Sequence, residues 1–404
     1  MLPIRNPALV DEDDVNRLRA AVQQFMQVDD TTVGEGSDYA VRFRGRLTQD
    51  SIPAYTLAAR LFRAAGFTPL FRPDGDRHAV LALRGTLNPR PSNPLINLVM
   101  FLLTVLSVLL VGGTYGLQSD LPNSFVGWVG LLLSGWPFAA ALLGILLAHE
   151  FGHYFAARYH KVAVTLPYFI PFPSLLGTMG AFIQLKAPPT NRRVLLDIGV
   201  AGPLAGLVVC LPVLFYGLLT SPVSRIPATL PAGLSLSMEG NSLLYVILKY
   251  LAYGRLLPEP AGFGGLPPLL YMLRYYLLAY PPPFGGLDVQ LNQVAWAGWA
   301  GLLVTSLNLI PAGQLDGGHA LFVLIGKRMR QVQPVILVIL IALGFLSITW
   351  WVYAALIYFL VGRVYAEPLD QITTLDPGRK LLALLTLAVF VLIFMPVPLT
   401  TFTR

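Results

Sequence analysis

The chain has 404 residues, of which 55% are hydrophobic and 12% charged. Soluble domains carry about 25% charged residues, so a wholly soluble protein is excluded and a polytopic α-helical membrane protein is expected. The net charge of +7 (28 Lys+Arg against 21 Asp+Glu) then reads as a topology signal rather than a nucleic-acid footprint, and no nucleic-acid partner is expected. The single cysteine, Cys210, excludes an intrachain disulfide and a thiolate metal site. Its apolar setting suits a small buried hydrophobe.

The chain opens with Asp11-Glu12-Asp13-Asp14, too acidic for a signal or transit peptide, so the N-terminus is expected in the cytoplasm. Residues 1–93 read as a small α+β soluble domain. Asp14 to Val28 has helical periodicity, Tyr39 to Gly45 alternates like a strand, and Ser51 to Ala65 is a second amphipathic helix. Thr68–Arg72 and His78–Leu83 flank Pro73-Asp74-Gly75-Asp76, a hairpin signal. His78 is expected to be an ordinary strand-edge residue. The domain's arginines suit a solvated surface, with lipid headgroups or a partner as the alternative.

A proline-rich linker, Asn88 to Pro94, leads into residues 94–404. Leu95 to about Gly116 is long enough to span a bilayer, and Val126 to Leu133 is semi-apolar and suits the interface. Pro137 to about Tyr159 is the next span, and it carries His149-Glu150-Phe151-Gly152-His153. On a helix the two histidines lie one turn apart on one face, where both rings can reach a single ion. Glu150 projects beside them as a general base for an activated water. Ionisable groups at that depth are costly, so a functional site is expected. Arg158, His160 and Lys161 place this end at the cytoplasmic face.

Val162 to Pro189 is too rich in proline and glycine for a span and too apolar for a free loop. Extended backbone at membrane depth requires protein or a wet cavity to satisfy it. A re-entrant β-hairpin beside the metal is expected, with a plain structural plug as the alternative. After Arg192 and Arg193, Val194 to Leu219 forms a third span whose Gly199-x-x-Gly202-Pro203-x-x-Gly206 spacing permits close helix approach. An outer insertion, about 221–292, holds two amphipathic helices, Asn241–Tyr253 and Pro268–Tyr280, suited to the membrane surface.

The fourth span, about Val294 to Ile310, breaks at Asn308-Leu309-Ile310-Pro311-Ala312-Gly313-Gln314-Leu315-Asp316-Gly317-Gly318-His319. Lys327, Arg328 and Arg330 mark the cytoplasmic side again. The histidine helix and this break therefore meet at one depth, and Asp316 is the expected third ligand. Gln333 to Leu360 is interrupted at Ser347-Ile348-Thr349, where a tight helical hairpin would return the chain to the cytoplasm at Arg363. Leu381 to about Pro396 is the last span, leaving Arg404 outside. The expected total is about six transmembrane helices with a re-entrant β-hairpin.

HEFGH in one membrane helix and N-x-x-P-x-x-x-x-D-G in another resemble the site-2 protease family of intramembrane zinc metalloproteases. The resemblance covers about 95 to 400. Gly177 to Lys186 is similar to the family's membrane-embedded β-hairpin, and Trp296 to Asn308 to its ligand helix. The front domain, with Phe43-Arg44-Gly45-Arg46-Leu47, resembles that of bacterial and plastid members lacking a PDZ module. The resemblance implies that His149, His153 and Asp316 bind one Zn2+ per chain and that Glu150 is the general base. It also implies that Asn308 hydrogen-bonds the substrate or the oxyanion. Gly180, Ala181, Phe182 and Ile183 are the hairpin residues expected to pair with an unwound substrate segment. His319 is assigned no catalytic role.

The function expected is intramembrane cleavage of single-pass transmembrane substrates near their cytoplasmic end, with the lipid bilayer as surroundings. A multi-pass protein of a prokaryotic plasma membrane is expected. A catalytically silent chaperone or scaffold is the alternative. Metal transport would need ligands staggered along a pore, whereas here they meet at one depth. Substrate, trigger and oligomeric state are not legible in the residues.

Overall fold

The computed structural model describes residues 10–34, 39–115, 121–229, 235–361 and 367–403. The front of the chain forms α1 (Glu12–Val22), β1 (Met26–Val33), β2 (Val41–Leu47), α2 (Ser51–Ala64), β3 (Phe67–Asp74) and β4 (Arg77–Arg84). The strands make one antiparallel sheet in the order β1-β2-β4-β3. Leu18, Val22, Phe25, Phe43, Phe62, Phe71 and Val80 fill its core. The first helix is shorter than its apolar spacing suggests. It stops at Val22, and Met26 and Val28, which fit a helical period, instead pair with Leu47 and Gly45 of β2. The β3–β4 turn forms where expected, at Asp74-Gly75-Asp76, with Gly75 at φ +65°. That left-handed conformation is one that glycine adopts without steric cost.

Among the described residues, three helices are long and apolar enough to cross a membrane: α3 (Pro94–Thr114), α5 (Trp136–Tyr159) and α6 (Arg192–Leu219), with the short α4 (Phe125–Ser134) between the first two. Asparagine side chains start two of them. Asn93 accepts from Leu95 N at 3.0 Å, and Asn191 accepts from Arg193 N and Val194 N at 3.0 Å, satisfying helix-end amides that have no partner within the helix. Between α5 and α6 run β5 (Tyr168–Pro171) and β6 (Thr178–Phe182), an antiparallel hairpin with Phe169 opposite Ala181. Its stem continues through the Val164–Leu185 bridge. Asn97 of α3 donates to Leu166 O and Pro167 O at 2.9 and 3.0 Å and fixes the hairpin's approach.

The insertion expected at about 221–292 contains β7 (Val223–Arg225), β8 (Ser235–Glu239), α7 (Leu243–Tyr253), α8 (Pro268–Leu278) and β9 (Leu287–Val289). The two helices fall where their amphipathic pattern puts them. The strands β7 and β9 pair with each other. Then come α9 (Gln293–Asn308), α10 (Asp316–Ile325), α11 (Met329–Leu343), α12 (Ile348–Leu356), α13 (Pro377–Ile393) and β10 (Leu399–Thr403), which pairs with β8. The turn between α11 and α12 occupies 344–347, and Trp351 lies so close over Gly344 that a side chain there would collide with its ring. The return at Arg363 lies outside the described residues, as does Arg404. Helices α5, α6 and α9 pack on one another around Phe138, Leu142, Leu146, Leu207, Leu214 and Leu302. Their approach is close: a Cβ on Gly152 would meet Ala201, and one on Gly298 would meet Leu214.

Candidate metal centre

The last three turns of α5 carry His149, Glu150 and His153, all buried. Their i, i+4 spacing puts the imidazoles on one face, and the Nε2 atoms lie 3.2 Å apart. Asp316, the first residue of α10, brings Oδ2 within 3.3 Å of both. It reaches them because the chain after α9 folds back sharply. Gly317 lies so close to Leu309 O that any side chain would collide, and Gly318 is packed in the same way against Ala312.

The environment selects one form of His153. Its Nδ1 lies 2.7 Å from Ile198 O on α6. A carbonyl can only accept, so Nδ1 carries the proton and Nε2 presents a lone pair to the other two side chains. Gly202 and Gly206 provide the space. A Cβ at Gly202 would run into the His153 ring, and one at Gly206 would press on His149 at 3.2 Å. The glycine spacing of α6, read as an aid to helix approach, clears room for the two imidazoles. Gly199, the first of the series, faces His319, whose Cβ would stand 3.1 Å from a side chain there.

These donors fit a metal ion. His149, His153 and Asp316 each offer one ligand atom within a buried cluster. Tetrahedral zinc takes His nitrogen at about 2.0–2.1 Å and carboxylate oxygen at about 2.0–2.2 Å, so its ligand atoms stand roughly 3.3–3.4 Å apart. The observed separations of 3.2 and 3.3 Å match the edges of such a tetrahedron. Three protein ligands leave one position open, the pattern of catalytic sites.

His149 also lines a cavity of about 180 Å³, together with Leu146, Glu150, Gly180, Ala181 and Asn308. Oε2 of Glu150 is buried without a hydrogen-bond partner, which is costly unless the group has a task. The Ile183 backbone N–H is directed at the same carboxylate. Asn308 places its Nδ2 3.5 Å from His149 Nε2. Of the four hairpin residues expected here, Gly180 and Ala181 line the cavity, while Ile183 is outside the lining and meets only Glu150, through its amide. Phe182 is 48% exposed and stacks on Tyr168, away from the lining. Thr178 and Tyr353 also line the cavity; Thr178 lies in the expected hairpin without having been singled out, and Tyr353 stands in no motif that would have marked it. The same holds for the Ile198 carbonyl, since a backbone acceptor leaves no trace in residue type.

Residues 137–348 match Peptidase family M50. Over 266 residues the chain is 30% identical to the probable zinc metalloprotease EGY1, chloroplastic, of Arabidopsis thaliana, covering 65% of this chain and 43% of that protein. Its rice (Oryza sativa subsp. japonica) counterpart is 31% identical over 325 residues, 75% of this chain and 50% of that one. The Arabidopsis probable zinc metalloprotease EGY2, chloroplastic, is 30% identical over 300 residues, 74% and 48% of the two chains. The chain spans about half the length of these curated relatives. No solved structure matches it.

Proposed function

The chain belongs to Peptidase family M50, and from that premise we propose that it is an intramembrane zinc metalloprotease that hydrolyses peptide bonds in the transmembrane segments of single-pass proteins. One observation carries the reading: two imidazoles of α5 and a carboxylate of α10 stand 3.2–3.3 Å apart, and one of them, His149, lines a cavity together with Glu150.

His149, His153 and Asp316 would hold the ion, with the Asp316 carboxylate offsetting part of its charge. When bound, zinc polarises the scissile carbonyl and lowers the pKa of water toward ~7. Glu150 takes the proton of the attacking water and delivers it to the leaving amine. Its unpartnered Oε2 supports that role. The Asn308 amide donates to the carbonyl oxygen as negative charge develops there, a contribution that a preformed donor makes without reorganising.

A helical substrate has its carbonyls engaged in its own hydrogen bonds and must unwind before attack. Strand β6 would receive the unwound segment as an added strand, with Gly180 and Ala181 on the cavity side. The chain is read as crossing the bilayer about six times, with β5–β6 re-entrant from the cytoplasmic side and the N-terminus cytoplasmic, in a prokaryotic plasma membrane. The basic residues Arg158 and Lys161 at the end of α5, and Lys327, Arg328 and Arg330 after α10, support that orientation.

Glu150→Gln separates this reading from a scaffold. The variant is expected to keep its zinc and lose cleavage of a single-pass substrate. If fragments in the membrane proteome are the same for the parent strain and for one carrying Glu150→Gln, the protease reading fails.

A further inference from the structure

The sheet of the front domain runs on into the membrane part of the chain. Residues Leu369–Gln371, between α12 and α13, lie parallel to β3: Phe71 N donates to Leu369 O at 2.9 Å, and Gln371 N to Phe71 O at 3.0 Å. On its other side the same strap bonds to the segment that leads into α6. Leu369 N donates to Pro189 O at 3.0 Å and Asp370 N to Thr190 O at 2.7 Å. The strap is thus a central strand between two bodies, and Asp370 pairs on both sides.

Side chains fix it in that position. Leu369 enters the front-domain core, and Arg72 donates to Pro368 O and Leu369 O at 3.2 and 2.9 Å. The buried Asp370 carboxylate accepts from Ile372 N at 2.8 Å and Thr373 N at 3.2 Å. Its own backbone bends are therefore satisfied internally. Beyond Thr190 the chain runs back to Lys186, whose N–H donates to Ala163 O at 2.8 Å in the hairpin stem. From there it passes to Ile183 and Ala181, which meet Glu150 and the cavity.

We infer that this strap is a positioning element: by holding Leu369–Gln371, the front domain sets the β6 edge in place to receive substrate. Its activity arm rests on the protease reading above. Releasing the front domain loosens the 186–191 connection and the hairpin with it, while the metal ligands, held by α5 and α10, stay where they are. The consequence for catalysis is weaker capture of substrate, with the bond-breaking step unaltered.

Gln371→Pro tests this on the zinc-loaded, full-length protein in a lipid bilayer, because it deletes the one N–H that the strap gives to Phe71 O. Gln371→Ala keeps that amide and serves as control. Arg72→Gln, which weakens the same contact from the front-domain side, stands in should the proline variant fail to fold. Backbone hydrogen exchange over 178–186, zinc content, KM and kcat are measured together. Loss of a hydrogen bond is expected to raise exchange over 178–186 about fivefold, to raise KM, and to leave kcat and zinc content as in the parent. Faster exchange in β3 with none over 178–186 would overturn the inference, as would a fall in kcat at unchanged KM. The exchange measurement requires no turnover. A protein that cleaves nothing would therefore defeat the protease reading and still leave the coupling decided.

Discussion

His153 uses its two ring nitrogens differently. Nδ1 donates to Ile198 O at 2.7 Å, which leaves Nε2 as a bare lone pair aimed at Asp316. The i, i+4 spacing of the histidines was legible in the sequence, because helix geometry alone puts them on one face. The carbonyl that selects the tautomer was not, since it belongs to a backbone atom of another helix. Gly202 lies between these cases: its glycine was visible, while the ring it accommodates is seen only in the fold. Gly202→Ala should therefore displace the His153 imidazole and weaken metal affinity by roughly 10- to 100-fold, read by competition with a chelator. Unchanged affinity would mean that the ring is free to move aside, and the close packing of α5 on α6 would lose its assigned purpose.

Among the elements, the hairpin β5–β6 carries the most chemistry for its length. Ala181 sits opposite Phe169 and faces the cavity. A proline at Ala181 or Ile183 removes an amide from the strand without touching a metal ligand. Cleavage should fall while zinc stays bound, and full turnover by these variants would remove strand addition from the account. The packing of α6 on α9 offers a stability test. At Gly298 a Cβ would meet the Leu214 backbone, so Gly298→Val should destabilise the bundle by about 1–3 kcal/mol, read from thermal unfolding. The three long apolar helices and the two hairpins were legible because composition and turn residues mark them. Strand β1 was not, because Met26 and Val28 fit a helical period as well as a strand. The strap at 369–371 is too short to show any period, and only its partners define it.

Across the whole molecule, three regions converge on one bundle: the front domain with the strap at 369–371, the helices that bring His149, His153 and Asp316 together, and the insertion that follows α6. The insertion is closed by a buried charge cluster. Lys249, with no exposed surface, stands 3.8 Å from Glu239 and 3.9 Å from Asp288, while Tyr245 donates to Glu239 at 2.9 Å. Nearby, Trp299 of α9 donates to Gly240 O at 2.9 Å, which ties the cluster to the helix that ends at Asn308. Burial pushes both carboxylates above their ordinary range; Asp288 adds to the rise at Glu239, and Lys249 offsets part of it at each. A carboxyl raised in the folded state gives stability that is complete below its unfolded pKa and lost as pH climbs through the folded value. Strands β8 and β9 should accordingly resist hydrogen exchange better at about pH 5 than at about pH 8, and Glu239→Gln should shrink the difference. An insertion equally protected at both values would show that the cluster does not govern it.

Zinc K-edge absorption on the purified protein addresses the metal centre itself. The account predicts two imidazole nitrogens and a carboxylate oxygen at about 2.0–2.2 Å, with the carboxylate contribution and tight binding both lost in Asp316→Ala. A spectrum that Asp316→Ala leaves unchanged, with zinc still held by the chain, would contradict it.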